Sequence, residues 1–538
     1  MKNKFLIFIL IIFLAVFLRF YKLGQVPAGF HQDEVSQAYN SYSLLKTGFD
    51  RYGQAFPILF RSFGSYQPPI YTYLMTVAVE VFGNTTFSAR FTSAFFGVLT
   101  VILTFFIAKM LSIRKYRYQL SLFSGFVVAI SPWAIHFSRR VVEANLGIFF
   151  FLLAFYLFLK SLKKISFFPI AAIVLGISTH AYYSERVMAI LFLPLFVFFY
   201  RRYFLKYKKQ LFWGILVFGL TLLPHIITVT SGAFASRFDQ VSYFGNDLKF
   251  PIRYLFLGKE FVIHFVSYFS PNNLFSDIGS GLGRTSPGLG VFYDWFFVPF
   301  LFGFYFLSKI IGKKKLPALA IFGFVYLVPV SLTGDVFYPL RSLDFFWVLA
   351  LVISVGMVGL FGYLKNKTLR TIIILILLVY SLLQFYISYF ILYQHETTEN
   401  VGNTYIDLSN KLMEYKDYKI VLDSTRDPAA GLRIAYFRKY DPRKLQTLLR
   451  PQMTTPYYSN EVNGQEVYIV DNIETRPIDW KVDRCVAKTI LVGDSLAFSQ
   501  EQIDQHHLKL RFEITGINKN VVLWGYETNP DEKCKMKI

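Results

Sequence analysis

Long apolar runs separated by short basic segments fill the first 392 residues. A helix of about 20 apolar residues crosses the roughly 30 Å hydrocarbon core of a bilayer. The pattern therefore predicts a polytopic α-helical membrane protein, with a membrane domain over 1–392. About eleven transmembrane helices are expected, several of them shorter than that length, at 5–20, 91–111, 120–137, 146–159, 167–179, 187–200, 211–230, 291–311, 316–332, 343–364 and 369–392.

Two long segments, 21–90 and 231–290, separate some of these runs. In the first, apolar residues recur at helical spacing between Asp33 and Lys46, which predicts a helix. The apolar stretch 70–82 is short for a crossing, so we expect it to lie in the membrane interface. The second segment contains the glycine-rich run GSGLGRTSPGLG, which does not match a dinucleotide-binding loop. A mobile loop over a site and a plain connector both remain open.

The pattern changes at Gln394, after which helical segments alternate with short β-branched runs. This alternation predicts a small α/β domain over 393–538. The domain contains both cysteines of the chain, Cys485 and Cys534. Disulfides form outside the cytosol, but a sequence does not place two Cα atoms, so a bridge between these residues is left open.

Composition and charge narrow the class of protein. A chain that is 54% hydrophobic and 17% charged is neither an ordinary soluble protein nor disordered. The net charge of +22 divides into +23 for 1–392 and −1 for the rest, and the excess lies in clusters between apolar runs. That is the pattern of cytoplasmic loops under the positive-inside rule. We therefore predict no nucleic-acid partner, and a multi-pass protein of the cytoplasmic membrane whose C-terminal domain is extracytoplasmic.

Charged side chains on the predicted outer side indicate a functional site on that side of the membrane. All thirteen acidic residues of 1–392 fall in or beside the segments predicted outside, although acids contribute little to topology. Several arginines lie on the same side, against the positive-inside bias, and guanidinium groups suit an anion such as a lipid phosphate. These arginines are Arg61, Arg90, Arg139, Arg140, Arg186, Arg237, Arg253, Arg284 and Arg341.

The segment from His31 to Glu34 opens the predicted helix of the first loop. A carboxylate at a low-dielectric boundary has a raised pKa and accepts a hydroxyl proton more readily. Asp33 and Glu34 are therefore candidate catalytic residues, and His31 is a candidate substrate contact. The alternative is a helix N-cap with acids in the first turn, which needs no catalytic role.

A second predicted outside loop contains Arg139, Arg140 and Glu143. Its two arginines are candidate phosphate ligands, with snorkelling toward lipid head groups as the alternative. Arg186 and Arg341 stand near acids in other loops, so each is either a substrate contact or part of a local ion pair.

Several motifs together resemble the C-type (GT-C) membrane glycosyltransferases. They are Arg19 to Leu23, the Asp33-Glu34 pair, Gln67-Pro68-Pro69, Ala89-Arg90-Phe91, Ser131-Pro132-Trp133, and Phe137 to Asn145. The branch that they resemble is the bacterial one similar to protein O-mannosyltransferases and the lipid A aminoarabinose transferase.

The resemblance implies transfer of a sugar from a polyprenyl-phosphate carrier to an acceptor hydroxyl at the outer membrane face, usually with inversion. By the same resemblance Asp33 is the expected general base, and Glu34 supports it or holds a divalent cation. Glu143 matches an acidic position of the family and is a further candidate catalytic residue. Arg139, Arg140 and Arg341 are candidates for the carrier phosphate. The acceptor, a glycan, lipid or protein, is left open.

Two other classes of function compete with this one. A transporter or flippase for a lipid-linked glycan would carry ionisable residues near the middle of its spans and show inverted repeats. The acids here cluster at one face, and no repeat is visible. A non-enzymatic role in envelope assembly would not explain the presence of Asp33 and Arg139.

Overall fold

The computed structural model describes residues 2–245, 249–276, 285–397 and 404–533. The chain divides into two compact units. Unit 1 consists of Met1–Val26, Arg90–Thr230 and Arg237–Tyr393. Unit 2 consists of Pro27–Ala89, Ser231–Ser236 and Gln394–Ile538. Most of the first long loop, which the sequence division assigned to the membrane domain, is thus part of the unit that contains the C-terminal residues.

Helices form most of the described chain. The α-helices up to residue 230 are α1 (Lys2–Phe20), α2 (Gln32–Thr47), α3 (Pro69–Phe82), α4 (Thr86–Leu111), α5 (Arg117–Ile130), α6 (Pro132–Ser138), α7 (Glu143–Ser161), α8 (Phe167–Ser178), α9 (Tyr183–Phe199), α10 (Arg201–Phe204), α11 (Lys208–Thr221) and α12 (Leu223–Thr230). The later ones are α13 (Ser236–Val241), α14 (Ile252–Ser267), α15 (Pro271–Phe275), α16 (Phe297–Ile310), α17 (Leu316–Ser331), α18 (Leu343–Tyr363), α19 (Lys367–Phe385), α20 (Tyr393–Thr397), α21 (Thr404–Lys411), α22 (Ala430–Phe437), α23 (Pro442–Leu449), α24 (Gln500–Gln505) and α25 (Pro530–Lys533).

Each predicted membrane run is largely helical, which confirms the helical membrane class. Within the described residues, five helical segments are long and apolar enough to cross a bilayer, or seven if each of two bent pairs is one span. The five are Thr86–Leu111, Glu143–Ser161, Lys313–Ser331, Leu343–Tyr363 and Lys367–Glu396. The number of about eleven crossings stays a prediction.

One predicted span, 120–137, is broken. The structure has α5 and α6 at an angle of 56° in its place. Ser131 between them is extended, with φ −59° and ψ 131°. A residue before proline is pushed away from helical geometry, and Pro132 provides no amide hydrogen to continue the helix. The break places α6 directly before Arg139.

Close helix contacts define the interior of unit 1. The buried helix α18 packs against α5, α16 and α17, and its Trp347 donates a hydrogen bond to Thr104 Oγ1 at 2.8 Å. At Gly356 an added Cβ would lie 1.8 Å from the Pro299 carbonyl oxygen. Small residues permit such approaches between membrane helices, where packing drives association. A side chain at this position would push α16 and α18 apart.

The described residues of unit 2 form eight strands. They are β1 (Phe60–Ser62), β2 (Ser65–Gln67), β3 (Lys419–Leu422), β4 (Tyr468–Val470), β5 (Ile473–Thr475), β6 (Thr489–Gly493), β7 (Lys509–Thr515) and β8 (Val521–Glu527). Strands β1 and β2 form an antiparallel hairpin, and the other six form one sheet in the order β4-β5-β3-β6-β8-β7. β3 is parallel to β5 and β6, and the remaining pairs are antiparallel. A C-terminal α/β fold is confirmed, although the sequence pattern missed β5 and α23.

Hydrogen bonds explain why the first loop belongs to unit 2. Arg61 donates from Nη2 to Thr455 Oγ1 at 2.9 Å, and Tyr66 donates to the Tyr457 carbonyl at 2.8 Å. The Tyr39 hydroxyl donates to the Tyr440 carbonyl at 2.9 Å. A hydrophobic pattern along the chain does not encode such pairings, because their partners lie about 400 positions apart.

The first loop also forms the predicted helix, α2, and a second one, α3, over the stretch expected in the interface. At 14 residues α3 is too short for a straight crossing. Of the two cysteines, Cys485 is disulfide-bonded, and Cys534 lies outside the described residues. The same is true of part of the glycine-rich run, 279–284, and of Arg284 within it.

Candidate active site

The start of α2 is a capping box. The His31 Nδ1 accepts a hydrogen bond from the Asp33 amide at 3.3 Å, and Glu34 Oε2 accepts one from the His31 amide at 3.0 Å. Such reciprocal bonds satisfy two amides that a helix N-terminus otherwise leaves open. Glu34 is buried, at 3% exposure. The helix-capping interpretation therefore explains the positions of His31 and Glu34. Of the two adjacent acids, Asp33 is the one whose carboxylate is half exposed.

Two side chains approach the Asp33 carboxylate. Gln67 Nε2 donates to the Asp33 carbonyl at 3.2 Å and lies 3.5 Å from Oδ1. His31 Nδ1 is 3.8 Å from Oδ2. Because that nitrogen already accepts from the Asp33 amide, the neutral ring has its proton on Nε2 and donates nothing to the carboxylate. Gln67 is thus the side chain that hydrogen-bonds Asp33. Gln67 had no role in the sequence-based predictions beyond its place in a motif.

Arg139 in unit 1 is held by the main chain. Its Nη1 donates to the Leu18 carbonyl at 2.9 Å, and Nη2 donates to the Tyr21 and Val26 carbonyls at 2.7 and 3.0 Å. The carbonyls at a helix C-terminus have no partner within the helix, so Arg139 stabilises the end of α1. Phosphate binding by Arg139 stays a prediction, and it would require some of these bonds to open.

Arg140 belongs to an arginine-rich part of unit 1. Arg90, Arg139 and Arg140 all interact electrostatically with Tyr389, and the Arg139 guanidinium lies 5.3 Å from that ring. Arg140 is buried, at 7% exposure, and also acts on His136. Three cations that act on one buried tyrosine provide a positive environment. The sequence named the arginines but not Tyr389.

A second group in unit 1 surrounds Tyr182. Arg341 and Glu143 both interact electrostatically with its hydroxyl. Burial is the main reason why the pKa of Tyr182 is raised, and Glu143 adds to the increase. Arg341 forms an ion pair with Asp335, at 3.0 Å between Nη1 and Oδ2. Two predicted site residues that lie about 200 positions apart, Glu143 and Arg341, therefore act on the same tyrosine.

Arg186 and its neighbouring acid take different partners. The Arg186 guanidinium lies 4.4 Å from the Tyr183 ring, and its Nε donates to the Thr179 carbonyl at 3.4 Å. Glu185 instead faces Asp344, and both carboxyl groups are fully buried at the beginnings of α9 and α18. Glu185 and Arg186 are thus adjacent in sequence but interact with different residues.

The residues of the described chain do not assemble a metal site. No group of three His, Cys, Asp or Glu side chains among them lies close enough to hold an ion. Glu34, the predicted ligand, uses one carboxylate oxygen in the capping box. The divalent cation stays a prediction.

The candidate residues divide between the units. His31, Asp33 and Glu34 lie in unit 2, whereas Arg139, Arg140, Glu143, Arg186 and Arg341 lie in unit 1. Sequence reasoning also missed the buried residues Ser36 and Arg51 beside Gln67. The signal for Ser36 was a run of polar positions on the buried side of α2, a helix that starts with acids.

Comparison with known proteins identifies the fold. The chain superposes on ArnT from Cupriavidus metallidurans in the apo state with a TM-score of 0.57 at 13% identity, covering 96% of this chain and 97% of that one. This chain has the GT-C fold. The fold expected from the motifs is therefore confirmed.

Other comparisons give further similarities. The structure of the same ArnT bound to undecaprenyl phosphate matches equally well, at a TM-score of 0.57 and 13% identity over 96% of this chain and 97% of that one. Residues 66–227 match the family model of dolichyl-phosphate-mannose-protein mannosyltransferase. The oligosaccharyltransferase AglB from Archaeoglobus fulgidus, with an inhibitory peptide and a dolichol-phosphate, has a TM-score of 0.49 at 13% identity, over 81% of this chain and 63% of that one. None of the curated proteins matches the chain.

Proposed function

We propose that this GT-C protein transfers a sugar from a polyprenyl-phosphate carrier to an acceptor hydroxyl at the outer face of the cytoplasmic membrane. The observation that carries the proposal is the fold match over 96% of the chain to ArnT, a protein also solved with undecaprenyl phosphate. The mannosyltransferase family match over residues 66–227 supports the same reaction class. The sugar is a hexose or a pentose.

Asp33 is the proposed general base. Its carboxylate is half exposed, so an acceptor hydroxyl can approach it, while the neighbouring Glu34 is used in the helix cap. The acceptor oxygen attacks the anomeric carbon as its proton passes to Asp33. The bond from that carbon to the carrier phosphate oxygen breaks, and the electron pair leaves with the phosphate. A single displacement of this kind inverts the anomeric carbon.

Cationic side chains compensate the phosphate charge as it develops, which is how enzymes stabilise such leaving groups. Arg140 and Arg341 are the proposed phosphate ligands, and Arg139 would join them only by releasing main-chain carbonyls. Arg186 is a proposed further substrate contact, and Glu143 supports the site through the group around Tyr182. His31 contributes by fixing the first turn of α2.

The test is sugar transfer by the purified protein from a panel of radiolabelled polyprenyl-phosphate sugars, using Asp33→Asn. General-base catalysis contributes roughly 10²- to 10⁴-fold, so we expect a loss of that size in kcat. The control is Glu80→Gln, which changes an exposed acid of the same loop and should keep wild-type turnover. Full turnover by Asp33→Asn would refute the assignment of the base, and movement of the labelled lipid across vesicles without transfer would favour a transporter.

A further inference from the structure

Ser36, on the buried side of α2, is the centre of a polar network in unit 2. Its Oγ lies 2.6 Å from Arg51 Nη1, 2.9 Å from Ser62 Oγ and 2.9 Å from Gln67 Oε1. Arg51 can only donate, and the Ser62 hydroxyl donates to Ser36. The single hydroxyl proton of Ser36 is therefore directed to the Gln67 carbonyl oxygen.

That bond fixes which way the Gln67 amide faces. Because Oε1 accepts from Ser36, the amide nitrogen points toward Asp33, where it donates to the carbonyl at 3.2 Å and approaches Oδ1 at 3.5 Å. Hydrogen bonds to catalytic groups are often long before substrate binds and then tighten. The hydrogen bonds thus run in one direction, from Arg51 through Ser36 and Gln67 to Asp33.

The hairpin positions Gln67 against α2. Phe63 and Gly64 at its turn have positive φ values, as a tight hairpin requires. Gln67 is the last residue of β2, and the following Pro68 restricts it to an extended backbone. Ser62, on the other strand, contacts Ser36 as well. Both strands therefore bring a side chain to the same hydroxyl.

Arg51 is a permanent charge at the far end of this network. It is fully buried, and its Nη2 donates to the Tyr52 hydroxyl at 3.0 Å, which in turn donates to Glu466. Burial by itself lowers the pKa of Arg51, but Tyr52, Tyr468 and Glu466 more than offset this and raise it. Asn40 Oδ1 accepts from the Arg51 amide at 3.2 Å and holds the backbone. The guanidinium is thus cationic and fixed in place.

We propose that Gln67, Ser36 and Arg51 form a positioning relay for Asp33, orienting its carboxylate and favouring its ionised form. The proposal rests on the proposed function, in which Asp33 is the base. Hydrogen bonds in a chain polarise one another in a low-dielectric interior, and a donor to a carboxylate favours its charged form. None of the three relay residues needs to touch the substrate.

The experiment compares Ser36→Ala and Gln67→Ala with Ser43→Ala, measuring kcat and KM across pH. Ser43 is a matched control, because it is fully buried on the same helix and its hydroxyl bonds the Phe49 carbonyl, outside the relay. Loss of a hydrogen bond to a charged group shifts its titration by roughly one pH unit. We expect the acidic limb of the kcat profile to rise by roughly one pH unit in both relay variants, with kcat about tenfold lower and KM little changed.

A further variant, Gln67→Glu, places a second carboxylate near Asp33. Like charges disfavour ionisation, so its acidic limb should shift further upward than that of Gln67→Ala. A merely structural role for Gln67 predicts no such order between the two variants. Wild-type pH profiles in the Gln67 variants would therefore overturn the relay.

The outcomes separate the relay from the proposed function. If Asp33→Asn is inactive while Gln67→Ala and Ser36→Ala behave like Ser43→Ala, the relay is wrong and the base assignment stands. If Asp33→Asn retains full turnover, the base assignment fails and the relay fails with it. Thermal unfolding of each variant is measured in parallel, and Gln67→Ala decides the question should Ser36→Ala not fold.

Discussion

Arg139 in unit 1 and Arg51 in unit 2 are both fully buried, but they have different kinds of hydrogen-bond partner. Arg139 donates to three main-chain carbonyls, at Leu18, Tyr21 and Val26. Arg51 donates to two side-chain hydroxyls, of Ser36 and Tyr52, each of which passes a hydrogen bond onward. A carbonyl ends a hydrogen-bond chain, whereas a hydroxyl continues it.

The comparison shows that burial and residue type do not reveal what an arginine does. An arginine bound to carbonyls stabilises a helix end, as Arg139 does for α1. An arginine bound to hydroxyls can influence a group that it never contacts, as we propose for Arg51 and Asp33. The partners decide the role, and the partners are set by packing.

The largest loss of stability should come from removing either guanidinium group, that of Arg51 or that of Arg139. Arg51→Met removes a fully buried guanidinium that donates to the Ser36 and Tyr52 hydroxyls, and each buried group left without its partner costs about 1–3 kcal/mol. Arg139→Met leaves three carbonyls without a donor, at about 1–3 kcal/mol for each group. Thermal unfolding in detergent measures both losses, and limited proteolysis locates them. We expect early cleavage in unit 2 for Arg51→Met and in unit 1 for Arg139→Met. Cleavage in the opposite units would contradict the roles assigned to the two arginines.

A smaller loss of stability is expected where two helices of unit 1 pack with their backbones in close contact. In Gly356→Ala the new methyl group meets the Pro299 carbonyl at 1.8 Å, and overpacking of this kind costs about 1–3 kcal/mol. Gly362→Ala on the same helix is the control, because no atom lies within 4 Å of its Cβ position. Melting temperatures of the two variants in the same detergent should differ. Equal values would show that α16 and α18 move apart freely.

The smallest loss of stability concerns the ion pair between Arg476 and Asp483 in unit 2. Burial by itself raises the pKa of Asp483, but hydrogen bonds from Arg476 and the Asp479 amide hold that pKa below its ordinary value of 3.8. A lowered folded-state pKa stabilises the protein above pH 3.8, and this contribution is lost as the pH falls through the folded value. Arg476→Met should cost about 1 kcal/mol at neutral pH. Unfolding measured from pH 7 to pH 3 should show a weaker acid dependence in the variant, and an unchanged acid dependence would contradict the assignment.

The sequence predicted the helical membrane class, the C-terminal α/β domain and the helix that begins at Gln32, because periodicity and capping are local properties of a chain. It placed Asp33, Glu34 and His31 in one helical turn for the same reason. It missed the break at Pro132, although a proline gave the signal, because a long apolar run was interpreted as one span.

Tertiary structure alone decided which of these side chains could act together. Glu34 and Asp33 are adjacent and chemically alike, but the first caps a helix and the second faces Gln67, which lies 34 positions further along the chain. The packing of the β1–β2 hairpin against α2 brings Ser36, Arg51 and Gln67 into one network. Local patterns specify where a helix forms, whereas a hydrogen-bond partner is specified only when distant segments pack, because the bond acts over about 3 Å and depends on direction.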